Sequence, residues 1–192
     1  MVSSTDIGLP LRRARVHEVC GPGAIGFAAV STALAGTVLW VREAWRGDML
    51  NPVGLSAFFD PAGLLVAQTK EQTESLAVTE EALRDGSVPL VVTELTRPLD
   101  LREGRRLQLA AKAGNTTGLC LIPDGMGSNA AETRWHCSPV FDVGDSTLMH
   151  WEIIKNKTGT LRAWHVRWNA ETRRLDVVSP VGERPGSART SA

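Results

Sequence analysis

The segment Arg15-Val-His-Glu-Val-Cys-Gly-Pro-Gly-Ala-Ile-Gly-Phe-Ala-Ala-Val30 has the spacing of a phosphate-binding loop without its chemistry. Gly21 and Gly26 stand where the two glycines of G-x-x-x-x-G-K-[ST] stand. In a working loop, backbone N–H groups cradle phosphates, the lysine reaches the outer phosphates, and the hydroxyl holds Mg²⁺. Here Phe27 takes the lysine position and Ala28 the hydroxyl position, so neither charge nor metal ligand is supplied. Two readings follow: an emptied nucleotide site, or an ordinary glycine-rich strand-to-helix turn. In both, Phe27 packs into the turn, and full burial of such a side chain stabilises by roughly 1.5–3 kcal/mol. No catalytic residue, cofactor or metal is expected.

Other chemistry-bearing residues are sparse. Cys20, Cys120 and Cys137 are odd in number and lack C-x-x-C spacing, which excludes a disulfide framework and a zinc knuckle. His17, His136, His150 and His165 show no i, i+4 pair. Lys+Arg and Asp+Glu are both 21, so the chain lacks the excess basic charge of a general nucleic-acid binder. A local basic patch remains open, with Arg102, Arg105, Arg106 and Lys112 on one helix as the candidate and a solvated helix face as the alternative. The N-terminus has no signal-peptide core and no apolar run reaches membrane-spanning length, so a cytoplasmic protein is expected.

The elements that would position these residues alternate. Val16–Cys20 reads as a strand entering a turn over Gly21–Gly26, and Phe27–Leu34 as a helix stopped by Gly36. Thr37–Val41 is a continuous apolar run typical of a strand buried on both faces, Leu64–Ala67 and Gly118–Ile122 are further apolar strands, and Val88–Leu95 is the strongest strand in the chain. Between them, a short helix is expected over Pro52–Phe59 and longer ones over Glu71–Asp85, ended by Gly86, and Arg102–Ala113, capped by Gly114. Such alternation gives a right-handed α/β unit with a mostly parallel sheet. After the Gly/Asn/Ser loop Asp124–Ala131, the runs Trp135–Phe141, Leu148–Lys155, Ala163–Asn169 and Leu175–Val178 follow with no helix between them, which reads as an antiparallel extension. Residues 1–14 read as a lead-in segment, 15–178 as the folded domain, and 179–192 as a disordered tail.

The order of these segments resembles the RecA ATPase core. Arg15–Pro22 is similar to its first strand and half of its phosphate loop. Val38-Leu-Trp-Val-Arg-Glu43 is similar to its second strand, with Glu43 in the place of the water-activating glutamate. Glu81–Glu94 resembles the helix, turn and metal-site strand, but Thr93 replaces the aspartate, with Glu94 one step on. Ile154-Lys-Asn-Lys157 resembles the Lys-Asn-Lys hairpin, and Trp164–Trp168 the strand after it. The resemblance implies an α/β, RecA-like core: a mostly parallel central sheet flanked by helices, with an antiparallel C-terminal extension. Thr96–Asp100 and Pro123–Ala131 are short where RecA carries its DNA-binding loops, Ile122-Pro123-Asp124 lacks the nucleotide-sensing glutamine, and RecA's polymerising N-terminal element and C-terminal domain have no counterpart.

A short RecA-like chain with an emptied loop, Glu132-Thr-Arg-Trp135 and a Trp-rich C-terminal hairpin resembles the ImuA family. That resemblance implies a non-catalytic accessory of SOS-induced translesion synthesis. Its partners would be an ImuB-like inactive Y-family polymerase and an error-prone C-family polymerase, with RecA as a further candidate and DNA binding weak or indirect. The SulA family, a RecA-like inhibitor of cell division, is the alternative. Candidate partner-binding residues are Lys155, Lys157, Arg134, Trp135 and Glu43. In RecA the matching lysines reach the ATP of a neighbouring protomer. The bland alternatives are solvated strand charges for the lysines and a covered sheet face for the tryptophans.

Overall fold

Leu90-Val-Val-Thr-Glu94 is a run with no polar alternation, and it lies in the parallel interior of the sheet, between two neighbours and two covered faces. The computed structural model describes residues 9–144 and 147–184. Its elements are β1 (Val16–Cys20), α1 (Ala24–Ala35), β2 (Val38–Glu43), α2 (Pro52–Leu55), β3 (Leu64–Thr69), α3 (Gln72–Asp85), β4 (Leu90–Glu94), α4 (Leu101–Gly114), β5 (Thr117–Leu121), β6 (Thr133–Pro139), β7 (Leu148–Asn156), β8 (Leu161–Asn169) and β9 (Arg174–Arg184). They build one mixed sheet in the order β3-β2-β4-β5-β1-β6-β7-β8-β9. The expected mostly parallel α/β sheet with flanking helices and an antiparallel C-terminal extension is what forms.

The details differ in instructive places. β6, expected in the antiparallel extension, runs parallel to β1 (Val19 opposite Trp135) and only its other edge is antiparallel, to β7. The connection from β5 to β6 is a crossover without a helix, and absence of a helical pattern therefore read as a hairpin. The turn after β1 is Gly21–Gly23, because α1 begins at Ala24 and carries Gly26 inside its first turns. The C-cap of α4 is Asn115, at φ 51°, and Gly114 remains helical. Glycine is needed at 114 for a different reason: a Cβ there would strike the carbonyls of Leu83 and Arg84 at the end of α3. β9 continues to Arg184, past Val178 and into the segment read as tail; residues 185–192 lie outside the described residues.

Two cores sandwich the sheet. On the α3–α4 side, Leu76, Leu83, Leu107 and Ala111 pack on Val16, Val41, Val91 and Cys120. α4 starts with a reciprocal cap, in which Asp100 Oδ1 accepts the Glu103 N–H at 2.6 Å and Glu103 Oε2 accepts the Asp100 N–H at 2.9 Å. On the other side α1 is almost wholly apolar and covers the sheet centre, joined by Leu9 and Leu11 of the lead-in segment. His17 is buried there between fixed partners. Its Nε2–H donates to the Arg12 carbonyl at 3.0 Å, so Nδ1 must accept from the Thr133 hydroxyl at 2.7 Å. That hydroxyl in turn accepts the Trp135 Nε1–H at 3.0 Å. Burial of this neutral chain pulls His17 down from 6.5 to about 4.

An aromatic layer joins α1 to the extension. The Phe27 ring, fully buried, lies 5.0 Å from Trp135 and 4.7 Å, edge-on, from Trp151, and Trp135 stacks on Trp164 at 6.0 Å. Truncation of Phe27 leaves a cavity that two indoles on paired strands are poorly able to fill. Phe27→Ala is expected to cost about 3–5 kcal/mol, read as a fall in the urea midpoint at unchanged slope.

Candidate partner-binding site

The turn after β1 is laid against β6. Gly23 N–H donates to the Cys137 carbonyl at 2.8 Å. A Cβ on Gly21, at φ 89°, would lie 2.5 Å from that same oxygen and 2.9 Å from His136 Nε2, and one on Gly23 would lie 2.9 Å from the Cys137 carbonyl carbon. Both glycines are therefore required by the close approach of β6. Phe27 and Ala28 point into the core, each at 0% exposure. A carboxylate stands nearby: Asp124 Oδ1 lies 3.8 Å from His136 Nε2. Together with burial, its charge helps push the Cys20 thiol up to about 12. The Gly23 N–H that a phosphate would need is already committed to the Cys137 carbonyl.

Glu43 and Glu94 end neighbouring strands on opposite faces, away from that turn. β4 and β5 separate β2 from β1, a displacement of about 14 Å at ordinary strand spacing. Glu43 is buried and accepts the Thr96 hydroxyl at 3.0 Å. Gln72 Oε1 holds the same loop through the Thr96 and Arg97 N–H groups at 2.7 and 2.9 Å. Glu94, 3% exposed at its side chain, accepts the Trp40 Nε1–H at 2.8 Å and pairs with Arg46 at 3.0 Å and Arg42 at 3.5 Å; Arg42 also meets Asp48 at 3.2 Å. These ion pairs fix the β2–α2 loop.

Lys155 and Lys157 reach inward, to their own chain. Lys155 Nζ donates to the carbonyls of Ser128, Asn129 and Ala131 at 3.1, 3.0 and 2.7 Å, and Lys157 Nζ to that of Ala130 at 2.6 Å. Four consecutive carbonyls converge there because the chain turns at Asn129–Ala130, where the Ala131 N–H donates back to the Ser128 carbonyl at 3.4 Å, and two ammonium groups neutralise their dipoles. Arg134 belongs to the same knot. Its Nε donates to Glu18 Oε2 at 2.8 Å and its Nη2 to the Ser128 carbonyl at 3.0 Å, while Glu18 Oε1 accepts the Ser128 N–H at 2.8 Å. Its guanidinium fills the space a side chain on Gly127 would need. Trp135, 1% exposed, faces the aromatic layer. Of the five residues singled out from sequence, Lys155, Lys157 and Arg134 thus meet at one loop, Trp135 is core, and Glu43 stands apart.

No family model matches the chain. Curated relatives do: Protein ImuA from each of two strains of Caulobacter vibrioides is 31% identical over 196 aligned positions, covering 93% of this chain and 74% of the relative. The chain belongs to the ImuA family.

In this ImuA-family chain, several apolar side chains are left in solvent. Trp45, Met49 and Val53 of the β2–α2 region and Leu65 and Val66 of the edge strand β3 are all exposed, Met49 at 85%. Met49 and Val66 line one recess with Glu43, Arg46 and Gln68. Sequence reading missed Glu18, Gln72 and Gln108, the polar pins of the loops. A charge in the middle of Val-His-Glu-Val-Cys was the available signal, since a buried carboxylate needs partners. No helix among the described residues is long and apolar enough to cross a membrane.

Lys155→Met keeps an unbranched stem and deletes the ammonium, taking that donor from the Asn129 and Ala131 carbonyls, while Ser128 keeps Arg134. The expected result is faster amide exchange and protease cleavage within residues 123–131, with about 1–3 kcal/mol lost. Unchanged protection of that loop would show that the lysine does not hold it.

Proposed function

We propose that this ImuA-family chain is a non-catalytic RecA-like adaptor in an SOS-induced, error-prone translesion synthesis complex, bound to an ImuB-like inactive Y-family polymerase and an error-prone C-family polymerase. The observation that carries the reading is the closed turn after β1. Gly23 donates to Cys137, and Phe27, which by sequence spacing takes the lysine position of a phosphate loop, is packed against Trp135 and Trp151. The fold is then retained for its surfaces. The exposed Trp45, Met49, Leu65 and Val66 beside the sheet edge support a partner-binding role, because soluble chains seldom leave several large apolar groups in solvent on neighbouring elements. Modulation of RecA filaments through Lys155 and Lys157 has less support, since both ammonium groups are committed to the crossover.

Reconstitution tests the reading. Purified chain mixed with the ImuB-like protein and the error-prone polymerase encoded by its own organism is expected to co-elute with at least one of them on size exclusion. A Met49→Asp/Val66→Asp variant is expected to weaken that association. Independent elution of all three proteins would contradict the reading, and inhibition of a tubulin-like division GTPase would favour the SulA-like alternative.

A further inference from the structure

A second surface lies on the opposite side of the sheet from α1. Leu101, Arg105 and Leu109 follow one another at four-residue spacing on α4 and so share a face. Leu101 is 54% exposed and Leu109 68%. That face forms one wall of a groove of about 570 Å³ whose other wall is Asn129, Ala130 and Lys157. The far wall is rigid. The Ala130 carbonyl accepts from Gln108 at 3.0 Å and from Lys157 at 2.6 Å, and Gln108 is itself tied to the Val16 carbonyl at 2.9 Å. The charges lining the groove have one sign, Arg105 and Lys157, and no carboxylate lines it. The neighbouring carboxylates are engaged elsewhere: Glu103 with Arg97, Glu80 with Arg84 and Arg106, and Glu132 with Arg12 and Arg15.

We propose that the α4–crossover groove binds an acidic amphipathic helix of a protein partner. Its apolar side chains would sit between Leu101, Leu109 and Ala130, and its carboxylates against Arg105, with Lys157, whose ammonium stays on the Ala130 carbonyl, adding positive charge at the opposite wall. An apolar floor with a cationic rim matches the i, i+3/i+4, i+7 pattern of a helix laid in a groove, with acidic residues flanking the anchors. A phosphate backbone would gain from the cations but would have to shed its own hydration against two leucines that return no hydrogen bond. The chemistry of the groove does not depend on the translesion reading above.

The probe is a fluorescein-labelled synthetic peptide with leucines at i, i+3, i+4 and i+7 and Glu or Asp at its other positions, titrated by anisotropy. Saturable binding is expected, weakened at least about tenfold by Leu109→Glu and by Arg105→Glu. It should be unaffected by Val66→Asp at the far edge of the sheet. Leu109 and Arg105 are solvent-exposed, so far-UV circular dichroism of both variants should match wild type. No binding, binding indifferent to both groove variants, or full displacement of the peptide by single-stranded DNA would each overturn the proposal.

Discussion

The structure turns on the closure of the β1–α1 turn against β6. Cys137 takes the Gly23 N–H, the two glycines admit its backbone, and Phe27 enters the layer formed by Trp135 and Trp151. One contact surface thereby fixes where α1 lies, how the parallel half of the sheet meets the antiparallel half, and what occupies the end of β1. Apolar burial and edge-on aromatic contact drive this junction, and both gain from the exclusion of water. A nucleotide would require the opposite: free N–H groups, a cation and solvent access.

The crossover between β5 and β6 is the second constraint, and it is polar. A loop that crosses between two parallel strands with no helix or ladder of its own brings N–H and C=O groups into half-buried positions, where each needs a partner. Glu18, Arg134, Gln108, Lys155 and Lys157 supply them. Two of them, Gln108 and Lys157, also line the α4 groove, so satisfaction of the backbone and presentation of a surface are linked there. The Trp40–Glu94–Arg46 cluster does the equivalent work for the β2–α2 loop, next to the apolar groups exposed at the β3 edge.

The fold was legible where pattern has one physical cause. Apolar runs became β2, β3, β4 and β5, the short strand expected at Val16–Cys20 became β1, and Gly86, at φ 78°, ended α3 as its lack of a Cβ allows. β6 was misread because a helix-free crossover leaves the same pattern as a hairpin. Gly26 was misread because spacing alone does not tell a loop glycine from a helical one. Lys155 and Lys157 stood out as charges, but whether a lysine points outward or back to its own carbonyls depends on the path of a loop more than twenty residues away. The exposed Leu101 and Leu109 gave no warning either, since a leucine on a helix reads as core until the packing is known.

The proposal that the turn after β1 is closed by packing and takes no nucleotide is tested most directly by calorimetric titration of the full chain with Mg-ATP. The account predicts no saturable heat up to millimolar nucleotide. Stoichiometric, saturable binding would contradict it, because the turn would then have to open away from Cys137 and release Phe27 from the tryptophans.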